Sequence, residues 1–359
     1  MSQNRERDVV TDHPSHIDKA REVFFAQKGL PVEEIGHAIL RSWIRCADMG
    51  LDERATPHME APTRSELKSL QERHEALRRI CRPELGALYS ESREISGIVV
   101  LTNAAGEILD AVGDASFADK AAQVALRPGA RWSEAGTGTN AIGTALAERR
   151  AVAVNGAEHY FQGHQGLSCA ATPIIDPRGA TLGVLDISTP ALAQNSHMLG
   201  LVRMAVEQIE HRLCRGGFEG CQTVRFQTDP NLLGVAREGI LVVREGVVVA
   251  ANRRGLSLVN RSWEGLDHMH VGELFDTVAG RLSAGRVLGT DGREFYVQID
   301  EEAATQRLPQ VVQTSLEDVE LSTIRQAVAL HKGSVSAAAR QLGIHRSTIY
   351  RRLSGDIPG

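Results

Sequence analysis

VSAAARQLGIHRSTIYRRL, the run from Val335 to Leu353, has the pattern of two short helices meeting at a glycine. Gly343 stands where a tight turn needs a positive φ, which a residue without a Cβ adopts at little cost. Ala339 is small enough for two helices to cross closely. Ile344, Ile349 and Leu353 form the apolar stripe that packs the second helix on the first. Arg346, Ser347, Tyr350 and Arg351 face away from that stripe, where a second helix presents side chains to a major groove. His345, Thr348, Arg352, Arg340 and Lys332 complete the expected DNA-contact set. No Asp or Glu occurs from Leu321 to Leu353, while Arg325, Lys332, Arg340, Arg346, Arg351 and Arg352 are all basic. A plain amphipathic hairpin explains the apolar spacing but not the one-signed charge. Contact with the phosphates of double-stranded DNA explains both.

The basic character is local. The chain of 359 residues carries 40 basic and 45 acidic residues, a formal net charge of −5, which excludes a protein that coats nucleic acid along its length. Its hydrophobic content of 42% is ample for two or three packed domains. The N-terminal MSQNRERDVVTDHPSH has no apolar leader, and no later window is apolar enough for a membrane span. Cys46, Cys81, Cys169, Cys214 and Cys221 are scattered without a CxxC pair, as in a cytoplasmic protein with reduced thiols.

The rest divides by changes of period into an α+β multidomain chain. Residues 1–96 read as N-terminal helices: Ile35, Ala38, Ile39 and Trp43 make one stripe, and a second stretch runs from Thr63 to Leu88, with Pro83 interrupting its last part. Residues 97–191 read as an antiparallel sheet with helices on one side. Its strands are Ile98–Leu101, Ile108-Leu109, Ala151–Val154, Cys169–Ile175 and Thr181–Ile187, with helices near Phe117–Leu126 and Ala141–Glu148. The last two strands flank Asp176-Pro177-Arg178-Gly179, a type I turn by its Pro and Gly positions. A long helix spans about Gln194–Arg215, inside a connecting segment 192–227. A further sheet domain occupies 228–300, with a hairpin turn at Thr290-Asp291-Gly292. An acidic linker, 301–320, leads to the helix-turn-helix domain, 321–355.

The C-terminal run resembles the Fis-type DNA-binding domain of bacterial sigma-54-dependent regulators. The middle resembles the sensor half of their acetoin-catabolism-regulator branch. The residues that carry this are SWIRCADMGLD (Ser42–Asp52), ILDAVGD (Ile108–Asp114), PGARWSE (Pro128–Glu134), GTNAIGTALAE (Gly138–Glu148), VAVNGAEHYF (Val152–Phe161), SCAATPI (Ser168–Ile174), GVLDIS (Gly183–Ser188) and MAVEQIEHRL (Met204–Leu213). The resemblance implies a GAF domain over 97–191. From EGILVV and VVVAANRRGLSL it implies a PAS-like domain over 228–300. It also implies a small catabolite of the acetoin or diol kind as effector. The family's AAA+ ATPase requires GxxxxGK[ST], and no such motif occurs; Gly138–Thr144 has the glycine spacing but Thr144 in place of Lys.

The expected ligand-binding groups are Trp132, Glu134, Asn140, His159, Tyr160, His164 and Cys169, polar or aromatic residues on the irregular stretches that cap the sheet. The same residues also read as packing: Trp132 and Tyr160 as core aromatics, Asn140 as a helix cap. His159, His164 and Cys169 are spaced H-x4-H-x4-C, wider than metal-ligand pairs favour, and no cofactor is expected. Cys169 lies in an apolar strand without a resolving partner, which reads as a structural thiol. Three readings stay open: a dimeric, ligand-responsive transcription regulator acting without ATP and contacting RNA polymerase; an antagonist or architectural binder of enhancer sites; and a thiol enzyme with a DNA-binding tail.

Overall fold

A computed structural model describes residues 16–56, 62–92, 97–113, 126–191, 197–216, 218–277 and 282–300, and beyond them His331, Ser334, Val335, Ala339, Gln341 and Arg346. Two compact units divide the chain, Met1–Pro309 and Gln310–Gly359.

The first unit opens with helices α1 (His16–Arg21, continued by a π turn, Glu22–Ala26), α2 (His37–Asp48), α3 (Arg64–Arg73) and α4 (Glu75–Ser92). Thr63 and Glu66 form a reciprocal capping box that starts α3. The break in the expected Thr63–Leu88 helix falls at His74, where φ is −108° and ψ 17°; α4 then runs through Pro83. The expected interruption at Pro83 is thus displaced by nine residues. Burial of Leu77, Cys81, Leu85 and Leu88 along one face of α4 offsets the one helical hydrogen bond that proline removes.

Strands β1 (Ile98–Asn103) and β2 (Ile108–Gly113) follow, then α5 (Glu134–Thr137), α6 (Ala141–Glu148), β3 (Val152–Asn155), β4 (Leu167–Ile175) and β5 (Thr181–Pro190). They form a five-stranded antiparallel sheet in the order β2-β1-β5-β4-β3. All nine residues of β4 are buried, so both faces of the sheet are covered. Val152, Val154, Cys169 and Ala171 point into one core with Trp43 of α2 and Ile142 of α6. The alternate residues of β1, β4 and β5 lie towards α4 and α7 (Met198–Cys214). The expectation of helices on one side is therefore corrected: the sheet is sandwiched. The N-terminal helices α1 and α2 share its inner core rather than forming a region of their own. The helix expected near Phe117–Leu126 falls, except for Leu126, outside the described residues.

The second sheet comprises β6 (Gln222–Gln227), β7 (Gly239–Arg244), β8 (Val247–Ala251), β9 (Gly285–Leu288) and β10 (Glu294–Asp300), ordered β8-β7-β6-β10-β9, with α8 (Arg253–Leu258) after β8. It begins at Gln222, ahead of the expected start at Thr228. The β9–β10 hairpin turns at Gly292, whose φ is 82°. Its core holds Phe226, Phe275 and Phe295, with ring centroids 5.1–5.6 Å apart in edge-to-face contact.

The two sheets are joined through α7. Buried Glu210 accepts from Ile175 N at 3.0 Å and from Arg253 Nη2 at 2.7 Å, while Arg253 also donates to the Pro173 carbonyl at 2.9 Å. The β4–β5 turn docks directly, with Ala251 N donating to Pro177 O at 2.8 Å.

In the second unit, Val335, Ala339, Gln341 and Arg346 are helical; Ala339 is buried and Arg346 exposed.

Candidate functional site

The inner face of the first sheet gathers all seven expected ligand residues into one buried region, but gives them different tasks. Asn140 caps α6: its side-chain oxygen accepts from Gly143 N at 2.8 Å, and its amide donates to Thr137 Oγ1 at 2.8 Å and Gly138 O at 2.9 Å. Its capacity is used within the fold. A Cβ on Gly143 would lie 2.7 Å from Glu134 N, and one on Gly138, at φ 63°, would lie 2.7 Å from Tyr160 Cβ. The glycines thus let α5, α6 and the segment after β3 close on one another.

Glu134 is bound from α2. Arg45 donates to it at 2.6 and 2.7 Å, and Ser42 Oγ at 2.6 Å. Arg45 also reaches Glu148 at 3.0 Å, and Arg41 pairs with the same carboxylate. These hydrogen bonds hold the Arg45 guanidinium well above its ordinary range, and Arg41 and Arg45 hold the Glu148 carboxyl below it. Glu134 therefore ties α2 across α5 rather than standing open to a ligand.

The segment after β3 is pinned from outside. Arg21 donates to the carbonyls of Ala157, His159 and Tyr160 at 3.0, 2.8 and 3.1 Å, with its guanidinium over the Phe25 ring at 4.5 Å. Trp43 Nε1 donates to Glu158 O at 2.8 Å, and Tyr160 Oη to Leu51 O at 2.9 Å. Tyr160 is thus a bonded core aromatic. Trp132 stacks on His164, centroids 5.0 Å apart at 27°.

Three side chains in this core keep an atom without a partner: His159 Nε2, His164 Nδ1 and Asp186 Oδ1. Burial pushes His159 down to about 3 and His164 to about 4, so both rings are neutral at physiological pH. Burial pushes the Asp186 carboxyl up to about 7. Ser188 Oγ lies 2.7 Å from Asp186 Oδ2 and 3.1 Å from Cys169 Sγ, making a short polar chain on the sheet face. Burial raises Cys169 well above the usual thiol range. A thiol held protonated and 3% exposed is no nucleophile, which removes the support for the thiol-enzyme reading. Among the described residues, no three His, Cys, Asp or Glu side chains are placed to hold a metal ion.

The sequence reading missed Arg21, Ser42, Arg45, Asp186 and Ser188. For the last two a signal existed: Asp186 and Ser188 are polar, two apart in an apolar strand, and so share a face. In the second unit, Arg346 is helical and exposed. Lys332, Arg340, His345, Ser347, Thr348, Tyr350, Arg351 and Arg352 lie outside the described residues.

The family "MimR, N-terminal domain" matches residues 13–211, more than half of the chain. The chain belongs to this family. As a MimR-type chain it also carries a match to "Bacterial regulatory protein, Fis family" over residues 315–354, the helix-turn-helix region. Between these two matches the sequence holds no P-loop, and the AAA+ domain is absent. The "Acetoin catabolism regulatory protein" of Cupriavidus necator is 31% identical over 71% of this chain and 40% of its own length. The "Propane 2-monooxygenase operon transcriptional activator MimR" of Mycolicibacterium smegmatis is 32% identical over 56% of this chain and 34% of its own length. The MimR-type chain thus spans well under two thirds of these relatives, which are regulators rather than enzymes. The crystal structure of the E. coli DhaR(N)-DhaL complex covers 73% of this chain and 92% of that one at 15% identity and a TM-score of 0.47, a likeness too slight to bear on function. Among the described residues no helix is long and apolar enough to cross a membrane.

Proposed function

We propose that the chain is a cytoplasmic, DNA-binding transcriptional regulator whose first sheet, of GAF type, senses a small catabolite and works without ATP hydrolysis. The observation that carries this is the set of unpartnered polar atoms inside the first core. A buried polar group left unmatched costs roughly 1–3 kcal/mol, and such a cost is retained where a ligand recovers it. DNA contact is assigned to the basic C-terminal helix around Arg346, in a homodimer whose two recognition helices read an inverted repeat about one helical turn apart. Met204, 66% exposed on α7, is a candidate contact between copies. Among the described residues, the second, PAS-like sheet has no unmatched acceptor, only the Arg254 Nε donor on α8, and it serves as the link. The relay to DNA runs through Glu210 and Arg253, which tie α7 to α8.

A second reading is favoured by the missing P-loop. Without a motor, the chain could act as an antagonist that occupies enhancer sites of full-length relatives. The two readings share DNA binding and differ in whether a small molecule changes it. The test is genome-wide occupancy by the intact protein, with and without a panel of neutral, acidic and basic catabolites. Occupancy that responds to a catabolite supports the sensor; occupancy indifferent to all of them supports the antagonist.

A further inference from the structure

Residues 156–164, between β3 and β4, are held against the first core from one direction. Two 3₁₀ turns, Gly156–Glu158 and Gln162–His164, give this segment only short-range main-chain bonds of its own. Its outward partners lie on residues 21–53. Arg21 donates to the Ala157, His159 and Tyr160 carbonyls, and Trp43 Nε1 to Glu158 O. Gln162 N donates to Glu53 O at 3.0 Å, and Tyr160 Oη to Leu51 O. The main-chain bond towards the start of α6, from Tyr160 N to Thr139 O, is longer at 3.3 Å.

Arg21 differs from the other arginines that tie this unit together. Arg45 and Arg253 meet buried carboxylates, Glu134 and Glu210. Arg21 instead sets a cation among three carbonyl dipoles, over the Phe25 ring at 4.5 Å and the Trp43 ring at 5.6 Å. Three acceptors and two π faces make a guanidinium seat. Bonds from a cation to neutral carbonyls are weaker than bonds to a carboxylate, so this seat can release its occupant. Burial pushes the Arg21 guanidinium below its ordinary range, the cost of keeping the cation partly dry.

The element that delivers Arg21 is slight. α1 has six residues, too few to hold a helix alone, and Ala20 and Phe24 are the buried residues of α1 and its π turn. Lys28, at φ 56°, then turns the chain towards α2, and Leu30 and Val32 on the way stand exposed. An element with so little buried surface opens at lower free energy than the sheet beneath it.

We propose that α1 and its π turn form a strap, with the Arg21 guanidinium as a built-in plug, that holds residues 156–164 shut and releases them with itself as one unit. The strap makes the burial of His159 and His164 reversible. It goes beyond the sensor reading, because the opening belongs to the chain without ligand.

The test is native-state hydrogen exchange of the intact chain. The amides to follow are Gln27 and Gly29, which bond back to the π turn, then His159, Gln162 and His164, and those of β4 and β6. In the wild type, the strap and segment amides should share one opening equilibrium, at least about tenfold more open than β4 and β6. Arg21→Ala should open residues 156–164 about ten- to hundredfold further, the worth of the lost hydrogen bonds to a charged group, and leave β4 and β6 unchanged. Arg21→Lys keeps the charge but not the planar fork and should recover only part of the protection. Guanidinium chloride at tens of millimolar, against equal sodium chloride, should restore part of the protection in Arg21→Ala. Residues 156–164 as protected as β4 in the wild type, or strap and segment opening at different free energies, overturns the proposal. So does a variant in which β4 loosens as much as the segment, or one that guanidinium leaves unchanged. The wild-type comparison needs no variant, so it decides the matter even where Arg21→Ala does not fold. None of these outcomes bears on the sensor reading, which occupancy decides.

Discussion

The two sheets of the first unit share one frame and differ in how the chain enters it. Numbered within each sheet, the first runs 2-1-5-4-3 and the second 3-2-1-5-4, so the strand that closes the first sheet has its place taken in the second by the strand that opens it. Their interiors differ more. The second core is built on a phenylalanine triad, and among the described residues its buried side-chain oxygens are matched, with one donor, Arg254 Nε on α8, left over. Asn252 accepts from Ile240 and Gly255 and donates to Glu238 O, Gln227 donates to Arg237 O, and Glu238 is held by His211 and Gly234. The first core keeps three acceptors unmatched. The same architecture thus leaves bare acceptors in one core and none in the other, the contrast on which the proposed sensor role rests.

The largest effect should come from the scaffold. Phe275→Ala removes a fully buried ring from the triad and should cost about 3–5 kcal/mol in denaturant unfolding, as large-to-small core changes do. Any effector should still bind the folded fraction with unchanged affinity. A loss of affinity without a loss of stability would place the ligand in the second sheet instead.

Acid should separate the two cores next. His159 and His164 are held far below the ordinary 6.5. The unfolded chain therefore takes up protons that the folded one refuses, and stability falls as pH drops from about 6.5 towards 3–4, by roughly 3–5 kcal/mol for each histidine at the limit. Asp186 works the other way: raised to about 7, it is protonated in the folded core first, so its contribution grows as pH falls from about 7 to 4. Asp186→Asn should consequently steepen the acid loss seen in pH-dependent melts. A shallower loss would contradict the assigned burial.

Arg45→Ala should cost about 2 kcal/mol, less than a fully buried pair because Arg45 is partly exposed. The measurement is denaturant unfolding of single and double variants: Glu134→Gln alongside it should recover part of the loss, since the uncompensated carboxylate is then gone. The smallest effect on stability should come from Arg346→Ala, an exposed helical position. It should leave melting unchanged and weaken operator binding with a shallower dependence on salt.

Much of this frame was legible in the residues. The β-branched runs at Ile98–Leu101 and Thr181–Ile187, the Asp176–Gly179 turn and the Thr290–Gly292 hairpin are local signals, and each appears where its residues place it. The burial of Trp132, His159, Tyr160, His164 and Cys169 together was also legible, from their clustering on the stretches around the sheet. What the sequence concealed is long-range. Arg21 and Arg45 lie on helices that read as a separate N-terminal region, and only folding brings them to carbonyls 136 residues on and to a carboxylate 89 residues on. Pro83 misled because tertiary burial overrode a local breaker. The unmatched state of Asp186 is a property of the packed core, and no spacing reveals it.

The central claim, that the first core receives the ligand and the second only passes the signal on, is tested most directly by hydrogen exchange on the intact chain with and without a catabolite that changes its DNA occupancy. The account predicts slowed exchange in residues 132–145, 156–171 and 184–189, and none confined to the second sheet at residues 222–227 and 285–300. Protection that appears first or only in the second sheet would contradict it.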